Sequence, residues 1–250
     1  MKINLIYLTA ICFCLITCKK DNQPEISSYK IVCGTKTDVI IHDYDSILIG
    51  SRYVVKSFDF DVNSDGSADF QLTSEIYGSA GQGYHPRAKL LCLNSNCMIN
   101  GYLSSDTIFK NFQSDTIYDS FQEKVKITNR TIYSCERIDN ADSIKQIQTD
   151  QFKYLSKNKG DYLDKSEFFK STTITLSDEW SSSFELPVNH NDTIIENYYQ
   201  NHYTCHSFPS DVIQYIGIKI KDGKNDKIGW LKISISENYK ISIWESAIQK

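Results

Sequence analysis

The residues best suited to chemistry in this sequence form one short acidic segment, residues 61–69. Counted from Asp61 as position one, the relevant residues follow as Asn63 at three, Asp65 at five, Gly66 at six, Ser67 at seven and Asp69 at nine. Ca²⁺ takes six to eight oxygen ligands, which side chains on alternate residues can supply when a glycine bends the loop. The spacing therefore predicts a structural calcium site whose ligands are the side chains of Asp61, Asn63, Asp65 and Asp69 and the Ser67 carbonyl.

The surroundings of this segment distinguish it from an EF-hand. An EF-hand loop lies between two helices and has Glu at position twelve, where this chain has Leu72. Here Phe58, Phe60 and Phe70 indicate a strand on each side of the loop. A metal-free alternative stays open, in which the Asp and Asn side chains accept hydrogen bonds from their own backbone and form a turn.

The cysteines carry a second chemical prediction. Cys92 and Cys97 flank the four residues 93–96, which can turn a hairpin and bring the two sulfur atoms within disulfide distance. Cys135 and Cys205 form a second candidate pair. The alternative is that these cysteines are buried and reduced, and act as small hydrophobic side chains.

The sequence contains no motif that assigns catalytic residues. It has no G-x-S-x-G segment, and the glycine-rich residues 78–83 are not followed by the Lys-Ser/Thr of a phosphate-binding loop. His202 and His206 are four residues apart, a spacing that aligns two zinc ligands only on a helix, whereas their neighbours are typical of a loop. We therefore assign no catalytic residue.

The N-terminus indicates export and lipidation. Residues 3–16 form a nearly continuous apolar run of 14 residues after Lys2, which suits the core of a signal peptide and is too short for a membrane-spanning helix. The run closes on Leu15-Ile16-Thr17-Cys18, which resembles a bacterial lipobox. The resemblance implies that residues 1–17 are removed, that Cys18 is acylated, and that residues 18–28 are a polar tether. An ordinary secretory signal cleaved nearby is the alternative.

Composition excludes two broad classes of protein. The 250 residues are 40% hydrophobic and 23% charged, which is the range of globular proteins and not of disordered ones. The formal net charge is −4, and the longest basic run is Lys19-Lys20. Bulk electrostatic binding of nucleic acid is therefore not expected.

The remaining pattern is that of β-strands. Runs rich in β-branched and aromatic residues alternate with turn signals about every ten residues, which predicts one β-rich domain over residues 29–250. Its expected class is all-β and mainly antiparallel, a β-sandwich or a jelly-roll-like fold. Ile216, Ile218 and Ile220 begin a three-strand antiparallel meander at the C-terminus. The exception is a short helix predicted at residues 141–154.

The lipobox, the segment DFDVNSDGSADF at residues 59–70 and the terminal Gly229-Trp230 strand together resemble small uncharacterised lipoproteins of the Bacteroidota. The resemblance implies a lipoprotein of the bacterial outer membrane, on its periplasmic face or at the cell surface, and implies no activity. We expect a non-catalytic binding or structural module that is held at the membrane by its lipid and takes a glycan or protein ligand. A polysaccharide-binding or glycan-degrading surface protein is the alternative.

Overall fold

The computed structural model describes residues 29–52, 54–79, 83–118, 124–178, 180–187, 194–201, 208–223, 225–236 and 239–250. The predicted signal peptide, Cys18 and most of the tether lie outside these residues. The chain divides into Met1–Lys30 and Ile31–Lys250, and nearly every described residue belongs to the second unit. Within the described part, no helix is long and apolar enough to cross a membrane.

Every regular element in the described ranges is a β-strand, which confirms the predicted all-β class. In chain order the strands are β1 (Lys30–Val32), β2 (Val39–Ile49), β3 (Lys56–Phe60), β4 (Phe70–Ser79), β5 (Gly83–Cys92), β6 (Cys97–Tyr118), β7 (Lys124–Ser134), β8 (Ser143–Tyr154), β9 (Ser156–Lys157), β10 (Tyr162–Asp164), β11 (Phe169–Lys170), β12 (Thr173–Asp178), β13 (Trp180–Pro187), β14 (Ile194–Asn201), β15 (Gln214–Ile220), β16 (Lys227–Ser236) and β17 (Lys240–Gln249).

Two sheets account for most of these strands. The larger has the order β13-β14-β7-β6-β15-β16-β17-β2, with β8 and β11 also paired to β6 and β9 paired to β15. The smaller has the order β12-β5-β4-β3, and β1 pairs with β10. Within the described residues of these two sheets, β14 pairs with β7 in parallel, and the other neighbouring strands pair antiparallel.

The core lies between the two sheets, as in a β-sandwich. One buried cluster combines side chains of the smaller sheet, such as Phe60 and Leu90, with side chains of the larger sheet, such as Ile218 and Leu231. Each such Leu, Ile or Phe contributes about 1.5–3 kcal/mol when it is fully buried. A second cluster around Trp230 includes residues of β1, β10 and β11.

The predicted C-terminal meander is confirmed. Ile218 pairs with Gly229 across β15 and β16, and Trp230 pairs with Ala247 across β16 and β17. Gly229 is required by close packing, because a Cβ at this position would lie 2.0 Å from the carbonyl oxygen of Ala247.

The helix predicted at residues 141–154 is wrong. Residues 143–154 form β8, which pairs antiparallel with β6 and places Ile147 opposite Ile108 and Phe152 opposite Leu103. Ile144 and Ile147 are three residues apart, a spacing that also fits a helix face. The partner strand decides the outcome, because β6 runs for 22 residues and offers β8 a long edge to pair with.

Candidate metal site

The acidic segment connects β3 to β4 and is closed by two aromatic residues. Phe60 ends β3 and Phe70 begins β4, the two residues are directly paired, and both side chains are fully buried. The backbone N–H of Asp69 donates to the carbonyl of Phe60 at 2.7 Å, so the two ends of the loop are held together. The predicted placement of the segment between two strands is confirmed.

Three of the predicted ligands turn inward and bond to the loop. Asp61 accepts hydrogen bonds from the backbone N–H groups of Asp65 at 3.1 Å and Gly66 at 2.9 Å. Asn63 accepts from Asp65 N–H at 3.0 Å and donates to the Asp65 carboxylate at 3.0 Å. Asp65 accepts from Ser67 N–H at 2.8 Å. The structure thus brings Asp61, Asn63 and Asp65 together, with Ser67 at the edge of the group.

Backbone conformation explains why the loop closes so tightly. Ser64 has φ of 62° and Gly66 has φ of 88°, both in the left-handed region. No other atom lies within 4 Å of the Cβ that an alanine would have at Gly66, so the need for glycine there is conformational and not steric.

Asp69 occupies a different environment from the other predicted ligands. Its side chain is buried, accepts the Val62 N–H at 3.0 Å and lies 3.6 Å from the Cys97 Sγ, whose S–H points to it. Burial raises the pKa of Asp69, and the hydrogen bonds from Val62 and Cys97 act in the opposite direction. Asp69 therefore ties the end of the loop to the core.

The two cysteines of the predicted disulfide are free thiols. Cys97 is buried, and burial together with the neighbouring Asp69 raises its pKa to about 12. Cys92 is half-buried and also free, so the predicted Cys92–Cys97 bond is not formed in this structure. The predicted bond requires the strands before and after residues 93–96 to pair with each other, whereas Cys92 pairs with Phe70 in the smaller sheet and Cys97 pairs with Ile220 in the larger.

Of the second candidate disulfide pair, only Cys135 lies in the part of the chain that the structure describes. Cys135 is disulfide-bonded. Cys205, the partner suggested by the sequence, lies outside the described residues.

Two residues of β2 that sequence reasoning missed contact or face this loop. His42 Nε2 lies 3.2 Å from Ser64 Oγ, which holds the loop against β2. Tyr44 packs edge-on against Phe60, and its hydroxyl lies 2.8 Å from Ser246 Oγ. Burial raises the Tyr44 pKa, and the charges of Asp61 and Asp69 raise it further. The sequence shows only that His42 and Tyr44 are two residues apart and so lie on one face of a strand. This spacing indicates that the face is buried but does not show which segment covers it.

The chemistry available to the loop is that of an oxygen-lined turn. Carboxylate and amide oxygens that already accept one N–H keep a second acceptor site, which a cation can share. Among the residues that the structure describes, no group of three or more His, Cys, Asp or Glu side chains forms a ready metal-binding cluster.

No protein-family model matches this chain, and neither a curated protein nor a solved structure matches it. Its function is therefore inferred from its own residues.

Proposed function

We propose that this protein is a membrane-anchored lipoprotein of the bacterial envelope whose β-sandwich is a non-catalytic binding or structural module with a structural calcium site. The anchor is supported by the lipobox that ends at Cys18 and by the polar tether up to residue 28. A single acyl chain binds a membrane only marginally, so the two or three chains of a lipoprotein would give stable anchoring.

One observation carries the calcium part of the proposal. The side chains of Asp61, Asn63 and Asp65 all fold back onto the same short loop and hydrogen-bond to it. Two carboxylates in so short a loop repel each other, and a divalent cation bound between them would relieve that repulsion. The loop lacks a bidentate Glu at position twelve, so the expected dissociation constant is on the order of 10⁻⁴–10⁻³ M.

The calcium proposal is tested by thermal unfolding of the full-length protein in detergent. Free Ca²⁺ at about a hundred times its dissociation constant stabilises the fold by roughly 2.7 kcal/mol, so the melting temperature should rise relative to chelator. Mg²⁺ should raise it less, because it requires a smaller octahedral site. Asp65→Ala should remove the calcium increment, whereas Asp115→Ala, at an exposed position on β6, should keep it. Equal melting of the wild-type protein in calcium and in chelator would show that the loop is only a turn.

The anchor is tested by cell fractionation. Cys18→Ala should move the protein from the membrane fraction to the soluble fraction, because the acyl chains can no longer be attached. Cys92→Ala is the matched control, since it also replaces a cysteine but leaves the lipobox intact. Membrane retention of the Cys18→Ala variant would refute the lipid anchor.

A glycan-binding role is the second candidate, and one surface feature favours it. On the outer face of the smaller sheet, Tyr77 is exposed and the guanidinium carbon of Arg87 lies 6.0 Å from its ring centroid. Glu75 bridges Arg87 and Lys89, with a nitrogen–oxygen distance of 3.7 Å to each. Exposed aromatic rings beside charged hydrogen-bonding groups suit a sugar ligand. Retarded migration in a polysaccharide-containing gel, lost in Tyr77→Ala, would support this role.

A further inference from the structure

One side of the sandwich carries the edge strands of both sheets. β2 ends the larger sheet and β3 ends the smaller, and the short segment 50–55 joins them. β2 pairs with β17 along one edge. Within the described ranges, no strand pairs with its other edge, and apart from the ladder with β17 no backbone hydrogen bond joins residues 40–49 to another segment. An unpaired edge of this kind is a template for a further strand.

Apolar side chains are exposed along this edge. Ile47 is 62% exposed, and Ile49, Val54 and Val55 are also exposed, so four β-branched side chains within nine residues face solvent. Leu48, between the two isoleucines, is buried in the core and fixes which way they point. Apolar patches of this kind on a soluble domain indicate a binding surface.

The part of β2 that precedes these isoleucines is acidic. Asp43 and Asp45 precede the two isoleucines on the same face of β2, and both are exposed. The 61–69 loop, whose Ser64 contacts His42 on the opposite face of β2, carries the further carboxylates Asp61 and Asp65. Lys36 offsets part of this charge through its ion pair with Asp43 at 3.8 Å.

This charge pattern selects between occupants. A second copy of the chain, paired antiparallel through residues 46–49, would place Gly50 opposite Asp45 and Arg52 opposite Asp43, so only one of the two aspartates would meet a cation. A basic strand would instead be attracted. The left-handed residue Asp45, with φ of 43°, lies where the register of β2 against β17 shifts, so we expect regular pairing with a partner at residues 46–49, beside the exposed isoleucines.

We propose that residues 46–49 of β2 pair with an extended segment of a partner protein, in which two alternate apolar residues are followed by two alternate basic residues. In the antiparallel orientation that β2 already shares with β17, the apolar residues lie opposite Ile49 and Ile47, and the basic residues reach Asp45 and Asp43. Backbone hydrogen bonds supply the affinity and the side chains supply the selectivity. This inference rests on the proposed binding role and names its partner, but it requires neither the lipid nor calcium.

The test is direct binding of a labelled peptide to the full-length protein in detergent, measured by fluorescence anisotropy. The probe Ile-Thr-Ile-Thr-Lys-Thr-Lys should bind with a dissociation constant below about 1 mM. The same peptide with Glu in place of Lys should bind more weakly. A version that is N-methylated at four consecutive central residues should not bind, because it cannot pair its backbone on either edge.

Protein variants locate the site. Ile47→Lys should weaken binding of the probe by about tenfold or more. The matched control is Ile117→Lys, at a 57% exposed position on β6, which should bind as the wild type does. Asp43→Asn combined with Asp45→Asn should weaken binding and flatten its dependence on ionic strength, since Asn keeps the shape and tolerates the backbone of Asp45.

Several results would overturn the inference. They are absence of saturable binding to the wild-type protein, equal binding of the N-methylated peptide, or equal loss in the two Ile→Lys variants. Self-association that Ile47→Lys abolishes would make a second copy the occupant and would overturn it as well. A protein that binds the peptide at β2 but fails the fractionation and calcium tests would refute the anchor and the metal site and leave this inference standing.

Discussion

The ion pair between Asp106 and Lys153 should stabilise the fold more than exposed ion pairs do. Asp106 Oδ1 lies 2.7 Å from Lys153 Nζ, and the two side chains are only 11% and 12% exposed. Ser104 Oγ donates to the same oxygen at 3.2 Å. Replacing one partner leaves the other charge buried without compensation, which typically costs 3–5 kcal/mol, so we expect Asp106→Ala to lower the free energy of unfolding by about that amount.

The same strand supplies the control. Asp115 pairs with Arg130 at 3.5 Å, but these side chains are 64% and 48% exposed. An exposed pair contributes about 0–1 kcal/mol, so Asp115→Ala should change stability little. Both aspartates begin the tripeptide Asp-Thr-Ile on β6, so the local sequence is matched.

The assay is urea unfolding followed by circular dichroism, with the free energy obtained from the midpoint and slope. The double variant Asp106→Ala/Lys153→Met should recover most of the loss, because an apolar replacement of a buried pair is often neutral. If Asp106→Ala costs no more than Asp115→Ala, or if the double variant is no more stable than the single one, the assignment of a buried ion pair is refuted.

Two further predictions concern β17 and its partner strand. Burial raises the pKa of Glu245, but hydrogen bonds and ion pairs with Lys232 and Lys36 outweigh it and lower the pKa. A lowered carboxyl pKa stabilises the fold above the unfolded value of about 4.3, and this stability is lost as the pH falls through the folded value. Glu245→Gln should therefore melt below the wild type at pH 7 and approach it at acidic pH, and a constant difference across a melting series would contradict this. Gly229→Ala should lower the free energy of unfolding by about 3 kcal/mol or more, because its Cβ would lie 2.0 Å from the Ala247 carbonyl oxygen. Gly66→Ala should lower it by only about 1–2 kcal/mol, because the cost there is that of a positive φ. Equal denaturation midpoints for the two variants would refute the steric argument.

The strands that local pattern predicts best are those with one buried face. Ile216, Ile218 and Ile220 alternate with less apolar residues, and this period placed β15 and the meander correctly. The pattern was insufficient for β8, where two isoleucines three residues apart fit a helix as well as a strand. Local sequence alone does not show whether a 22-residue partner strand is available to pair with it.

Identical short sequences on β6 show the same limit for burial. Ile108 and Ile117 each end an Asp-Thr-Ile tripeptide, yet Ile108 is 2% exposed and Ile117 is 57% exposed. The difference arises from the distant strands that pack near each residue, which no local pattern records.

In the candidate site, too, the local contacts follow from the sequence pattern and the long-range contacts do not. The hydrogen bonds from the loop backbone to Asp61 and Asp65 follow from the local spacing around Gly66, and they are those of the metal-free turn that the sequence left open as an alternative. The contact between Asp69 and Cys97 joins a loop residue next to the smaller sheet with a residue of the larger sheet 28 positions away, and the sequence contains no sign of it.

The pairing of β2 with β17 also bears on how the chain reaches its folded state. Val39 lies opposite Gln249, so the first long strand of the domain has its partner in the last residues of the chain. The hairpin of β3 and β4, closed by Phe60 and Phe70, can form as soon as those residues are available. Contacts of such long sequence separation form slowly, and β2 lacks its partner in the larger sheet until β17 has been synthesised. Termination or clipping between β16 and β17 would leave one edge of β16 and one edge of β2 without a partner strand, and unpaired edges are prone to aggregation.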